Sequence, residues 1–582
     1  MKIYGASICL VAGMVACAAP VSETEQTPMN GEGAVIYSAS AIVTMTDGET
    51  AEAVAVRDDR ILAVGDLEAL RSDFPGAAHD ETFAEKTIVP GLIDPHIHMS
   101  LSSLQYATPL TPPWPMATPG GMVRGLPTRE AFFDRLVEYD AAAPEGEPLI
   151  VYGFHNLVHG DLTRTDLDAV TTDRPLVIWH YSSHDFYLNS VGLEWAGIEA
   201  SLHEQFEGVD LDASGALTGR IYEDAIPALM RSIGPILLAP DRLATGLDGF
   251  SDLLRFGGVT TVADLGYGIF TLPLENANIQ GNWRSIDHSG YRLYLVPEHR
   301  AFLAAHGEDR VSTILGMVEG TVPTPAPVLP QVKFFTDAAF YSQTMRISEP
   351  GYLSGQSEGS TGLWVLKPDE IAPTIQPYWD AGLAVRIHSN GDAAQTATLD
   401  ALAELRPSAP DREFIFEHAG LFSPEQVQRA GELNAGISAA SHYVFYLGEA
   451  YQSPLGPDRG SWMLPLASLS AAGVPVTLHS DAPLAPPLPL RAASVHMLRS
   501  TREGGELTPT EKLSAHEALE SITIDAAYAL GLEADLGSIS PGKLADFTIL
   551  DANPIETPAE GWGEIAVWGV VIGGNKRPLL DE

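Results

Sequence analysis

The chain has 582 residues, 45% of them hydrophobic and 8% aromatic, which is too long for one ordinary domain and too apolar for extended disorder. With 33 basic and 76 acidic residues it carries a formal charge of −43. That excess opposes nucleic acid or an anionic lipid surface as a main partner, because long-range repulsion works against both.

Residues 1–17 carry one lysine, an apolar stretch through Ile8, Leu10, Val11 and Val15, then small residues and Cys17. This is the pattern of an export signal; a spanning helix needs roughly 20 apolar residues. Met14-Val15-Ala16-Cys17 resembles a bacterial lipoprotein cleavage box, with Cys17 as the lipidated residue. The other cysteine, Cys9, lies in the same leader, so the mature domain has no disulfide to form. Residues 18–33 read as a flexible tether. The expectation is a protein exported from a bacterial cytoplasm, periplasmic or at the cell surface, touching the membrane only through a lipid on Cys17.

From Ala34 onward, short alternating runs such as Ala53-Val54-Ala55-Val56 and Arg60-Ile61-Leu62-Ala63-Val64 are separated by Asp47-Gly48 and Asp58-Asp59. The pattern predicts strands with tight turns. The same texture returns in Phe547-Thr548-Ile549-Leu550 and Val567 to Ile572, which predicts one small β-domain built from 34–90 and 537–582. Between them, β-branched runs alternate with helical ones, the signature of an α/β parallel sheet. Polar residues cluster just after the strands, which favours a closed barrel over an open sheet. The span from His96 to Asp481 exceeds the roughly 250 residues of a plain barrel. The excess, about 101–247, is predicted to be an inserted cap.

The chemistry-bearing strings each end an apolar run. His96 and His98 are two apart, so on a strand both imidazoles face one way and can grip one metal. His388 and His418 end two further strands and can supply a second. Each string alone has an ordinary explanation as a satisfied core or surface group. Lys333 sits in Val332-Lys333-Phe334-Phe335, where a buried ammonium is costly unless neutralised. Carboxylation by carbon dioxide makes it an anion able to bridge two cations; a pair with Asp337 or Asp264 is the alternative. Asp481 follows Val476-Thr477-Leu478 and is placed to bind metal and take a proton from water, or merely to cap a turn.

In this order the strings resemble the amidohydrolase superfamily, and specifically its family 3, the group that includes N-substituted formamide deformylase-like enzymes. Asp166-Leu167-Asp168-Ala169-Val170, Gly257 to Asp264, Ser480-Asp481-Ala482-Pro483 and Gly537 to Asp546 extend the likeness over most of residues 35–555. The resemblance implies a distorted (β/α)8 TIM barrel with a composite β-sandwich domain. It also implies two divalent ions of zinc type on His96, His98, His388 and His418, with carboxylated Lys333 bridging and Asp481 as ligand and base.

The expected reaction is hydrolysis of a non-peptide C–N bond in a small amide. An ester, lactone or deaminating hydrolase using the same centre is the nearest rival, and a non-catalytic surface binding protein a remoter one. His184 matches a pocket-lining string of the family. His155, in Tyr152-Gly153-Phe154-His155-Asn156, and His442 are further candidates for substrate contact. The sequence leaves a homodimer open.

Overall fold

A computed structural model describes residues 31–46, 50–282 and 290–579. The expected leader, Cys17 and residues 18–30 of the tether lie outside the described residues. Among the described residues, no helix is long and apolar enough to cross a membrane.

The two chain ends share one eight-stranded sheet. Thr87–Pro90 pairs antiparallel with Phe547–Leu550, in a register that sets Phe547 opposite Pro90 and Leu550 opposite Thr87. On one face Ile42, Val54, Ile88, Phe547 and Val571 are buried together, with Phe83 edge-on to Trp568. On the other, Ile36, Ala53 and Ala55 meet Leu70 and Phe74 at the helix Leu67–Asp73. This alternation is what the period of two in the sequence requires. All eight strands are linked by hydrogen bonds. Ala34–Val43 pairs with Ala78–Asp80 through its first half and with Thr87–Pro90 through its second, and the register shifts between Ser38 and Ile42.

Two parallel sheets make up the middle of the chain. One, of three strands, runs Arg292–Pro297, Val259–Tyr267, Leu92–Ile97; the other, of five, runs Gln331–Phe335, Ala384–Ser389, Phe414–His418, Gly436–Ala440, Val476–His479. Parallel bridges Glu298–Lys333 and Ile97–Ala482 join them at both sides. These strands are buried along almost their whole length, as expected when helices cover one face and side chains fill the other.

The long segment after the first parallel strand carries its own five-stranded sheet, ordered Val209–Leu211, Leu217–Tyr222, Asp185–Leu188, Leu176–His180, Leu149–Phe154. Met99–Tyr106 and Pro240–Phe256, near the limits predicted for the insert, pack on each other. Their backbones approach so closely at Gly246 that a Cβ there would lie 1.8 Å from the Ser103 carbonyl oxygen. Only glycine permits that contact.

Candidate active site

Each parallel strand delivers its last side chains to one end of the layer. Leu92–Ile97 carries His96 inward, and His98 follows it at the strand end; their ring centroids are 5.1 Å apart. His418 ends Phe414–His418 and lies 4.8 Å, ring to ring, from His96. Asp481 completes the group: Oδ1 is 3.1 Å from His98 Nε2 and 3.5 Å from His96 Nε2, and Oδ2 is 3.5 Å from His418 Nδ1. Oδ1 accepts no well-directed hydrogen bond although it is buried, which leaves an orphaned carboxylate oxygen among imidazoles.

The backbone is strained at this point. His418 has φ of 68° and Asp481 φ of 54°, left-handed conformations that cost a non-glycine residue about 1 kcal/mol or more. Such strain persists only where surrounding structure holds it, and here it turns two polar side chains toward one spot.

Lys333 is fully buried on Gln331–Phe335, with Nζ 3.5 Å from His96 Nε2. Burial lowers its amine to about 8, against the raising pull of Glu417 and Asp481. Neither acid considered from sequence neutralises it. Asp337 accepts backbone N–H groups from Arg346, Asn390 and Gly391, and Asp264 accepts those of Met99 and Gly266. His388 reaches the same end from Ala384–Ser389, its ring 4.5 Å from that of His418, with Nε2 3.1 Å from the Ala338 carbonyl.

Burial pushes His96 and His418 well below the ordinary imidazole range and His388 down to about 3, with Lys333 adding to the effect at each. These rings are neutral lone-pair donors. Burial by itself would raise Asp481, but His418 and His98 outweigh it and hold the carboxyl well below the carboxylate range. The donor set therefore fits a divalent transition ion. The ligand atoms of His96, His98 and Asp481, and those of His96, His418 and His479, fall within 4.8 Å of one another in each group.

Two of these participants were poorly visible in the sequence. His479, at the end of the strand Val476–His479, sits behind the cluster with Nε2 3.2 Å from His418 Nδ1 and Nδ1 2.8 Å from Ser438 Oγ. Glu417 directly precedes His418 on the strand Phe414–His418. Its Oε2 lies 2.6 Å from His96 Nδ1, its Oε1 accepts from Arg386 Nε, and all three side chains are excluded from solvent. A carboxylate on the far nitrogen of a ligating histidine sets its tautomer and raises its basicity. The signal available was an acid inside the apolar strand Phe414–His418, which needs a partner there.

Over the cluster lies a chamber of about 70 Å³, lined by His98, Lys333, His388, His418, Asp481 and His184 among others. His184 is part of this wall, and its Nδ1 is 3.2 Å from Glu223 Oε2. Burial disfavours its charged form, but Glu223 overrides this and raises it. Two other candidates fall elsewhere. His155 caps the helix Asn156–His159, accepting from the Leu157 N–H, and is packed among Trp114, His180 and Tyr341. His442 stacks on Tyr341 and lines a separate recess with Phe445 and Tyr446. Neither lines the chamber, because each begins a helix whose first turn carries the ring into the core.

The amidohydrolase family profile matches residues 84–576, and a bacterial imidazolonepropionase-like composite domain matches residues 53–77. Protein LONG AFTER FAR-RED 3 of Arabidopsis thaliana is 27% identical over 517 residues, covering 86% of this chain and 84% of its own. The N-substituted formamide deformylase of Arthrobacter pascens is 26% identical over 543 residues, covering 90% and 95%. Among solved structures, an uncharacterized metal-dependent hydrolase from Pyrococcus horikoshii superposes with a TM-score of 0.67 at 19% identity, over 90% of this chain and 99% of that one. Another from Pyrococcus furiosus gives 0.64 at 22%, over 90% and 100%. These two share the α/β fold, and the family match spans most of the sequence: the chain belongs to the amidohydrolase family.

Proposed function

We propose that this protein is a metal-dependent hydrolase that cleaves the C–N bond of a non-peptide amide. The observation that carries the reading is the convergence of His96, His98, His418 and Asp481 on one buried point, with Lys333 and His388 bordering it. In this reading the eight parallel strands form a distorted (β/α)8 barrel, and the cluster lies at the strand C-terminal ends, where such barrels place their chemistry. His96, His98, His388, His418 and Asp481 would hold two zinc-type ions, with Lys333, carboxylated by carbon dioxide, shared between them. Such ions supply Lewis acidity, which activates water near neutral pH and polarises a carbonyl oxygen.

The protein's own part is proton handling and orientation. Asp481 Oδ accepts the proton released as water attacks the carbonyl carbon and delivers it to the departing nitrogen, so no side chain becomes covalently attached. Glu417 keeps His96 in one tautomer. The relative named an N-substituted formamide deformylase supports choosing an amide over an ester. The leader and Cys17 support export and lipid anchoring.

Metal analysis of the purified protein, with parallel assays on N-acyl amines, esters, lactones and aryl amines, tests this. About two equivalents of metal and chelator-sensitive amide hydrolysis are expected. Active protein free of metal refutes the proposal, and turnover of esters or release of ammonia with amides untouched transfers it to the rival chemistry. Labelling with 13C-bicarbonate should give a carbamate signal that Lys333→Ala removes.

A further inference from the structure

Beside the small chamber lies a second cavity of about 640 Å³. The two share His98, Leu101, Ser183, His184 and Phe335 as wall, so the larger opens from the reacting end of the smaller. A chamber of about 70 Å³ has room for little more than the amide group itself, and whatever substituent the amide carries must go next door.

The walls of the larger cavity are dominated by carbon, from Leu104, Trp179, Phe186, Ile226, Met230 and Phe270. Its charged groups are already matched within the protein. His184 faces Glu223, and Arg300 pairs with Glu298 while lying over the Phe335 ring. Asp264 accepts from Met99 and Gly266, and Glu275 from the Gly268 and Phe270 N–H groups. An anionic substituent entering here would lose hydration and face Glu223, Asp264 and Glu275, whereas an uncharged ring or branched chain gains by burial. The volume lies within the range of sites that enclose drug-sized molecules.

We infer that the 640 Å³ cavity is the subsite for the non-reacting arm of the substrate, and that this arm is a large, uncharged, apolar group, aryl or branched alkyl, on the amide. The inference rests on the amide-hydrolase reading for the location of the scissile bond. It excludes amino-acid-like and phosphorylated amides as preferred substrates.

The test uses the metal-loaded full chain and two compound series: N-substituted formamides from N-methyl to N-benzyl and N-naphthylmethyl, and primary amides from acetamide to 3-phenylpropionamide. N-Formylglycine serves as the charged comparator. In at least one series kcat/KM should rise by roughly tenfold or more from methyl to benzyl-sized groups, with N-formylglycine at or below the methyl compound. Met230→Trp and Phe270→Trp, which fill the cavity from different walls, should each reduce the ratio of large to small substrate turnover. A flat series, or preference for the charged comparator, overturns the inference. Calorimetric binding of the same compounds to the metal-loaded Asp481→Asn protein separates the two readings. Binding that strengthens with apolar size upholds the subsite even if no amide is turned over, and binding independent of size overturns it even if small amides are hydrolysed.

Discussion

Glu417 and His96 meet in the buried centre, 2.6 Å between Oε2 and Nδ1, with neither side chain reaching solvent. They come from strands far apart in sequence. The contact makes the orientation of the His96 imidazole depend on an acid that itself leans on Arg386.

Replacing that acid tests the dependence. Glu417→Gln keeps the shape but removes the charge, so metal affinity should fall about 10- to 100-fold, measured by competition with a chromogenic chelator. Because Arg386 loses its buried counter-charge, the metal-free protein should also lose about 3 kcal/mol or more of stability, read from urea denaturation. Unchanged metal affinity would reduce Glu417 to a purely structural partner of Arg386.

Asp481→Asn separates holding the site together from moving a proton. Asparagine retains an oxygen donor but accepts no proton at neutral pH. The variant should keep most of its metal by elemental analysis and lose about 100- to 10,000-fold in kcat. Full activity would remove Asp481 from the role of base.

Gly266 gives His98 its room. A Cβ at that position would sit 2.8 Å from His98 Nδ1, so Gly266→Ala must displace the ring whose Nε2 lies 3.1 Å from Asp481 Oδ1. Because the strand Val259–Tyr267 is otherwise well packed, the expected result is a loss in kcat of about 100-fold with a melting temperature within a few degrees of wild type. Equal loss of fold and activity would mean that the strand cannot absorb the methyl.

His184 should titrate above the ordinary 6.5 because the Glu223 carboxylate favours its charged form. The pairing therefore stabilises the folded state fully below pH 6.5, and its contribution fades as pH rises through the raised midpoint. Ring-proton NMR should show that midpoint, and Glu223→Gln should bring it down, since burial then acts unopposed. A midpoint insensitive to Glu223 would assign the shift to another group.

What could be read in the sequence follows from local chemistry. His96, His98, Lys333, His388, His418 and Asp481 stand out because each is a polar residue in or just after an apolar strand, and the structure brings all of them to one end of the parallel strands. Their order carried the family resemblance. The sheet shared by the chain ends was likewise visible in its period of two.

Tertiary structure decided the rest. His155 and His442 follow apolar strands much as His98 and Asp481 do, yet their rings turn into the core, because the direction of a side chain after a strand depends on the turn that follows. Glu417 acquires its role only when Leu92–Ile97 and Phe414–His418 face each other across the layer. The 640 Å³ cavity has no linear signature, being bounded by walls from the insert and the parallel strands together. Sequence determined which polar groups stand at the strand ends, since that depends on residue type and local pattern. Folding decided which groups meet and what space they enclose, since distance between strands is not written along the chain.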